Sequence, residues 1–441
     1  MNKRTRFVTA FVLFVLVALA AQAGETILIV NGNIVPVVGK PITKGCLLIK
    51  DGKIVKIAAD IEAPSDATVI DAEGKIVFPG IVALMTGIGV TGYPGAGNDV
   101  DEVGATTPYA DPYDAINPED PTIEVTRLGG VTTVMTISGT MNVINGKSVV
   151  LNLEGDLAEN MVIQRDAAQI FNLDAKGQSM FGPKRPGNYP STHMGIVALI
   201  RDKLNQAKLQ AAKLAAKEKK SEEKEAKEAM PSKRDLGMEA LVEVVQGKIP
   251  VVFITSNEVS VRNALRLIEE YNLKGIISAR AGVLKYADQL AAKKIPVIWA
   301  GTTTIPDRWE PYDLNYRTAS ILAKKGVLFC FDMLGFGVNS HNVRNEPVPA
   351  SISVAHGLSE EEALKALTIN PARMIGIDDM VGSLETGKVA NLAIWSGSPV
   401  QLSSRVQKVI INGKVIPMTS LQTRLRDKFE KIVRERMARK K

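Results

Sequence analysis

The stretch FPGIVALMTGIGV, residues 78–90, decides how this chain is read. It reads as the opening strand of a barrel, with the apolar run Ile81-Val82-Ala83-Leu84 followed by Met85-Thr86-Gly87, and it contains no residue of a metal-ligating type. Upstream, TILIVNGNIV (26–35), GCLLIKDGKIVKIAA (45–59) and TVIDAEGKIVFPG (68–80) read as short alternating strands separated by Gly and Asp-Gly turns. Lys50-Asp51-Gly52-Lys53 is a hairpin signal, because both central residues of a two-residue turn need a positive φ. The same character returns at the far end, in GSLETGKVANLAIWSG (382–397) and RVQKVIINGKVI (405–416). A small β-domain built from residues 24–78 plus 384–418, with a larger insert at 79–383, accounts for that recurrence.

Within the insert, apolar runs alternate with helical segments: GVTTVMTI (130–137), IPVVFITS (249–256) before SVRNALRLIEEYNL (260–273), KGIISAR (274–280), YADQLAAKK (286–294), IPVIWAG (295–301) and VLFCFD (327–332). Buried runs separated by amphipathic helices predict parallel βα units, and a (β/α)8 barrel matches the size. A doubly wound open sheet is the runner-up, but no Gly-x-Gly-x-x-Gly or phosphate loop supports it. The segment near 203–236 is rich in Lys and Glu mixed with Ala and Leu, which favours a solvated helix with i,i+4 pairs; a docking arm is the other reading. Residues 419–441 read as a basic C-terminal helix.

The N-terminus, MNKRTRFVTAFVLFVLVALAAQAGE, places Lys3, Arg4 and Arg6 before an apolar run that ends in Ala21-Gln22-Ala23. This is the pattern of a secretory signal over residues 1–23, and it predicts an exported protein, periplasmic or secreted, without a stable membrane span after cleavage. Loss of those three cations lowers the formal charge from +7 to +4, which does not suggest a nucleic-acid partner. Cys46 and Cys330 are expected to be two separate buried thiols rather than a bridge.

Several stretches in order carry a family resemblance: VFPGIVAL (77–84), DPYDAINPEDP (111–121), LGGVTTVMTISGTMNVINGKSVV (128–150) and GLSEEEALKALTINPARMIGIDDMVGSLETGKVANLAIWSGSP (357–399). The last joins the final barrel helix to the returning β-domain and is the most specific. On these residues the chain resembles the amidohydrolase superfamily, and within it the imidazolonepropionase-like group, whose members hydrolyse carbon–nitrogen bonds other than peptide bonds, as in cyclic amides. The resemblance implies a TIM-like barrel with one or two divalent metals such as Zn at the C-terminal strand ends. The family's ligands are a His-x-His pair on the first strand, a carboxylate or carboxylated Lys midway, one His on each of strands five and six, and an Asp on strand eight.

This chain departs from that pattern. The His-x-His positions fall on Met85 and Gly87, the strand-five His at or beside Ile254, and the strand-six His near Ala279; Asn152 stands as a candidate for the Lys position. Asp332 alone remains, and one carboxylate cannot hold Zn²⁺, which takes at least three protein ligands. The expectation is therefore no metal and no other cofactor.

Three histidines could take part in a rebuilt site. His193 reads as a loop or capping residue or as a substrate contact, His341 as a loop residue or one facing the barrel mouth, and His356 as structural. Asp332 is either catalytic, by its place at a strand end, or a buried carboxylate kept for its hydrogen bonds. Arg280 could neutralise it or bind an anion. The combined expectation is a non-catalytic binding or partner subunit: Asp332 is the one candidate catalytic residue, His193, Arg280 and His341 are candidate ligand contacts, and a small-molecule ligand and a hetero-oligomer with an active amidohydrolase are the expected partners. The alternative is an active exported amidohydrolase that acts on cyclic amides or dipeptides with a non-standard site around Asp332.

Overall fold

A computed structural model describes residues 25–91, 99–102, 104–174, 190, 192–221, 234–306 and 309–439. The expected signal segment, 1–23, and the most charged part of the 203–236 segment lie outside them.

Both ends of the chain build one sheet. Its strands are β1 (Ile27–Ile34), β2 (Ile42–Lys50), β3 (Lys53–Ala58), β4 (Thr68–Asp71) and β5 (Ile76–Pro79). Far along the chain it is completed by three more, Leu392–Trp395, Val406–Ile411 and Lys414–Ile416. The β2–β3 turn is Asp51-Gly52 and the last hairpin turns at Asn412-Gly413; all four residues have φ between 51° and 76°, the geometry that two-residue hairpins require. The two ends meet where Leu392 to Trp395 run antiparallel to Pro79 to Ile76. Strands from both ends thus share one sheet, and FPGIVAL is its seam: Phe78 belongs to this sheet, while Ile81 opens the next.

The second sheet is a nearly closed barrel. It contains β6 (Ile81–Thr86), β7 (Val131–Ile137), β8 (Ile144–Asn152), β9 (Val162–Gln164), β10 (Gln169–Asn172), β11 (Val251–Thr255), β12 (Gly275–Ala279), β13 (Val297–Trp299) and β14 (Phe329–Phe331). The spatial path is β14-β13-β12-β11-β10-β8-β7-β6, with β9 beside β8. Helices Glu360–Leu367 and Ile369–Ile375 pack against both terminal strands of that path. With the three returning strands, β15 to β17, the two sheets account for the fold class expected from sequence.

Alternation along the strands separates two cores. Val252, Ile276, Ile298 and Cys330 point into the barrel, whereas Phe253, Ile277, Trp299 and Phe329 face the surrounding helices. One strand breaks the parallel pattern. β8 runs antiparallel to both β7 and β10, because only residues 138–143 separate it from β7, too few for a crossover.

That reversal corrects one sequence expectation. Asn152 ends β8 beside Thr133, near the start of β7, and so lies at the end of the barrel away from Asp332. There it joins a buried network: Thr133 Oγ1 and Asn391 Nδ2 donate to Asn152 Oδ1 at 3.0 and 2.7 Å, and Asn152 Nδ2 donates to Asn412 Oδ1 at 2.6 Å. It ties the barrel to the β-domain and does not stand in for a metal-bridging Lys. Cys46 and Cys330 are both buried and free, as expected.

Candidate functional site at the barrel mouth

The same alternation decides which residues reach the C-terminal ends of the strands. Counting by two from the interior residues Val252, Ile276 and Cys330 leads to Ile254, Ser278 and Asp332. All three line a cavity of about 500 Å³ at the mouth, together with Met85, Glu102, Asn172, Asp174 and Arg280. The strand-six position expected near Ala279 is thus taken by Ser278, since Ala279 is buried in the outer core among the helices.

The first strand is shaped against a His-x-His pair. Met85 has φ 56°, a left-handed backbone that L side chains rarely adopt, and pairing between β6 and β7 slips between Ala83 and Thr86. The break turns Met85 into the barrel interior. At Gly87 a Cβ would come within 2.0 Å of Thr91 Oγ1, which donates to Gly87 O at 2.9 Å and lies 2.5 Å from Ser340 Oγ. Any side chain at 87 must displace that contact.

Asp332 is buried, and Leu334 N–H donates to its Oδ1 at 2.7 Å. Burial pushes its carboxyl up to about 7, against the opposing pull of the Leu334 N–H, the Arg280 guanidinium and the Gly335 N–H. Glu346 is also buried and is pushed well above the ordinary carboxylate range, first by burial and then by the charge of Asp332. Its Oε2 has no hydrogen-bond partner among the described residues. Burial likewise raises the Cys330 thiol, with Glu346 and Asp332 adding to the effect.

Across the cavity, Asn257 Nδ2 donates to Asp174 Oδ1 at 3.1 Å, while Asp174 Oδ2 is buried without a partner among the described residues. His193 begins the helix His193–Ser221 instead of preceding it. Its Nδ1 is 3.1 Å from Leu173 O, a contact in which that nitrogen carries the proton, and its Nε2 is 3.9 Å from Asp174 Oδ1. Glu102 Oε1 accepts from the backbone N–H groups of Thr140 and Met141 at 2.7 and 3.0 Å.

The structure therefore brings Asp332 and Arg280 to one cavity and sets His193 behind it, through Asp174. His341 lies on the 3₁₀ segment Gly337–Asn345, where Gly337 and Asn339 line the cavity and His341 does not. His356 is elsewhere, bonded through Nδ1 to Ile352 O at 2.8 Å and packed against the Tyr316 ring at 4.9 Å with the two rings tilted by 45°. Glu102, Asn172 and Asp174 were missed from sequence. Asn172 ends β10, the short strand beside β11, and the two acids sit on loops without a periodic signal.

These residues do not fit the divalent metal of the resembling family. The positions that the motif likeness matches to the family's His residues offer a thioether at Met85 and a hydroxyl at Ser278, with no side-chain donor at Gly87 or Ile254, and no three His, Cys, Asp or Glu side chains among the described residues group closely enough to hold an ion.

Comparison with known proteins gives a consistent picture. The family model described as Amidohydrolase family matches residues 320–416. The solved amidohydrolase of Thermotoga maritima MSB8 is 32% identical and superposes with a TM-score of 0.75, covering 89% of this chain and 99% of that one. Amidohydrolase tasK of Hapsidospora irregularis is 23% identical over 397 residues, 84% of this chain but 39% of that protein, so the chain spans about two fifths of this curated relative. Imidazolonepropionase of Shewanella baltica is 43% identical over 65 residues, 13% of this chain and 16% of that protein. By its fold and by its full-length likeness to the Thermotoga protein, this chain belongs to the amidohydrolase family, whose relatives hydrolyse carbon–nitrogen bonds.

Proposed function

We propose that this chain is an exported, non-catalytic member of the amidohydrolase family that binds a small molecule at the barrel mouth without a metal and works beside a catalytically complete amidohydrolase. One observation carries the reading: the mouth keeps a charged cavity of about 500 Å³, while the family's His positions hold Met85, Gly87, Ile254 and Ser278. Arg280 is placed to take an anionic group, and the unpartnered oxygen of Asp174 is placed to accept an N–H. A ligand with both groups, such as an amino acid or the opened form of a cyclic amide, suits that pairing. Export rests on the basic and apolar pattern of residues 1–23. The partner claim rests on the lost residues clustering on one task, while the strands, turns and both domains are intact.

The alternative reading has its own observation. Burial raises the Asp332 carboxyl to about 7, toward the range a general acid–base group works in, which would suit a metal-independent hydrolase of cyclic amides or dipeptides. Gentle purification of a tagged copy from its native cells, followed by hydrolase assays on what elutes, separates the two. Co-elution of a second amidohydrolase, with no activity from this chain alone, is the expected result. Recovery of this chain alone, with hydrolysis of a cyclic amide or dipeptide that disappears in Asp332→Asn, would overturn the proposal.

A further inference from the structure

The C-terminal helix Leu421–Ala438 leaves the body of the protein after one anchored turn. Ser420 and Thr423 form a reciprocal capping box, and Glu124 holds the first turn by accepting from Leu421 N at 2.9 Å and from both terminal nitrogens of Arg424 at 3.0 and 2.9 Å. None of the helix's residues is buried. Leu425, Phe429, Val433 and Met437, spaced by four, make an apolar stripe whose members are 41% to 65% exposed. The rest is mainly charged, with a basic surplus. Asp427 and Glu430 are already engaged by Arg426 and Arg434, so Lys428, Lys431 and Arg436 are opposed only by Glu435.

A second copy of the helix is a poor occupant for this stripe. A two-fold antiparallel pairing centred on Lys431 sets Leu425 opposite Met437 and Phe429 opposite Val433, which suits the apolar residues. The same register places Arg426 opposite Arg436, Lys428 opposite Arg434 and Asp427 opposite Glu435, three pairs of like charge. An apolar protein groove fits no better, because helical spacing brings Arg436 onto the stripe's own face, between Leu425 and Phe429 around the helix. At a lipid boundary a long cationic side chain lies along the apolar surface and returns its head to the phosphates. No described helix is long and apolar enough to cross a membrane.

We propose that the helix Leu421–Ala438 is a peripheral anchor that lies on an anionic lipid surface, with the stripe Leu425, Phe429, Val433 and Met437 toward the acyl chains and the surrounding Lys and Arg on the headgroups. The full chain is tested by co-sedimentation with vesicles of phosphatidylglycerol mixed into phosphatidylcholine, and with phosphatidylcholine alone. The comparison protein is the Phe429→Asp/Val433→Asp variant, whose thermal unfolding should be unchanged because both positions are exposed. The expected result is binding to the anionic vesicles that weakens with salt and falls at least tenfold on neutral vesicles and in the variant. A Phe429→Trp probe should also shift its emission to the blue on the anionic vesicles only. Absence of binding to phosphatidylglycerol, equal binding to both vesicle types, or binding unchanged in the double variant would overturn the proposal. So would concentration-dependent dimerisation that the double variant abolishes, which would assign the stripe to a second copy.

Discussion

One buried amide network at the closed end of the barrel contrasts with the buried carboxyls at its mouth. At the closed end, Thr133, Asn152, Asn391 and Asn412 satisfy one another at 2.6 to 3.1 Å, and the link holds the β-domain to the barrel. At the mouth, Asp332 and Glu346 are buried with raised pKa values, and Asp174 and Glu346 each keep an oxygen without a partner among the described residues. A satisfied network stabilises and specifies the fold, whereas under-partnered carboxyls cost stability. The difference teaches where stability is given up, and it is at the mouth, where Asp332 and Glu346 stay buried with raised pKa values.

The largest effect that would sharpen this contrast is on Asp332. Its folded pKa is raised above the value near 3.8 of an exposed carboxyl, so the folded state holds its proton longer than the unfolded chain does. Stability therefore falls as pH rises from about 4 to about 7, and the penalty is full above that. Asp332→Asn, which keeps an acceptor for Leu334 N–H, should stabilise the protein at pH 8 by on the order of 3–4 kcal/mol and leave it nearly unchanged at pH 4. Urea unfolding at the two pH values measures this; an equal shift at both would show that Asp332 is not the titrating group.

Asn152→Ala at the closed end should act in the other direction, with a loss of about 2–3 kcal/mol and little pH dependence, because it strands Asn391 and Thr133 in a buried site. A loss below about 0.5 kcal/mol would mean that water replaces the network and that the two ends do not differ as described. The smallest stability effect concerns the first strand. Gly87→Ala should cost about 1–3 kcal/mol by pressing on Thr91, and Thr91→Ser, which keeps the hydroxyl, should not relieve it, whereas Thr91→Ala in the same chain should. Restoring Met85→His with Gly87→His alone should accordingly fail to produce a metal site, as read by elemental analysis of the purified variant.

Much of the fold is legible in the sequence. The Asp51-Gly52 turn, the return of strand character near residue 392 and the alternating runs around VVFIT and GIISA led to the composite sheet and the barrel because hairpin turns and strand periodicity are local. The direction of β8 was not legible, since INGKSVVLN reads the same in either orientation and only its short link to β7 reverses it. The likeness of VVLNLEG to the family's Lys segment therefore does not carry over to the position of Asn152 in the barrel. Ser278 could have been found by counting inward positions in phase with Asp332, where likeness of motif had pointed to Ala279. Glu102 and Asp174 reach the cavity from loops, and their meeting depends on tertiary placement that no spacing encodes.

The measurement closest to the heart of the matter is the metal content of the purified wild-type protein after dialysis, read by elemental analysis for Zn, Mn and Fe. With Met85, Gly87, Ile254 and Ser278 at the mouth, no stoichiometric metal should remain, and addition of Zn²⁺ should not raise the unfolding temperature. Close to one equivalent of metal that survives mild chelation and is lost in Asp332→Asn would contradict a metal-free mouth.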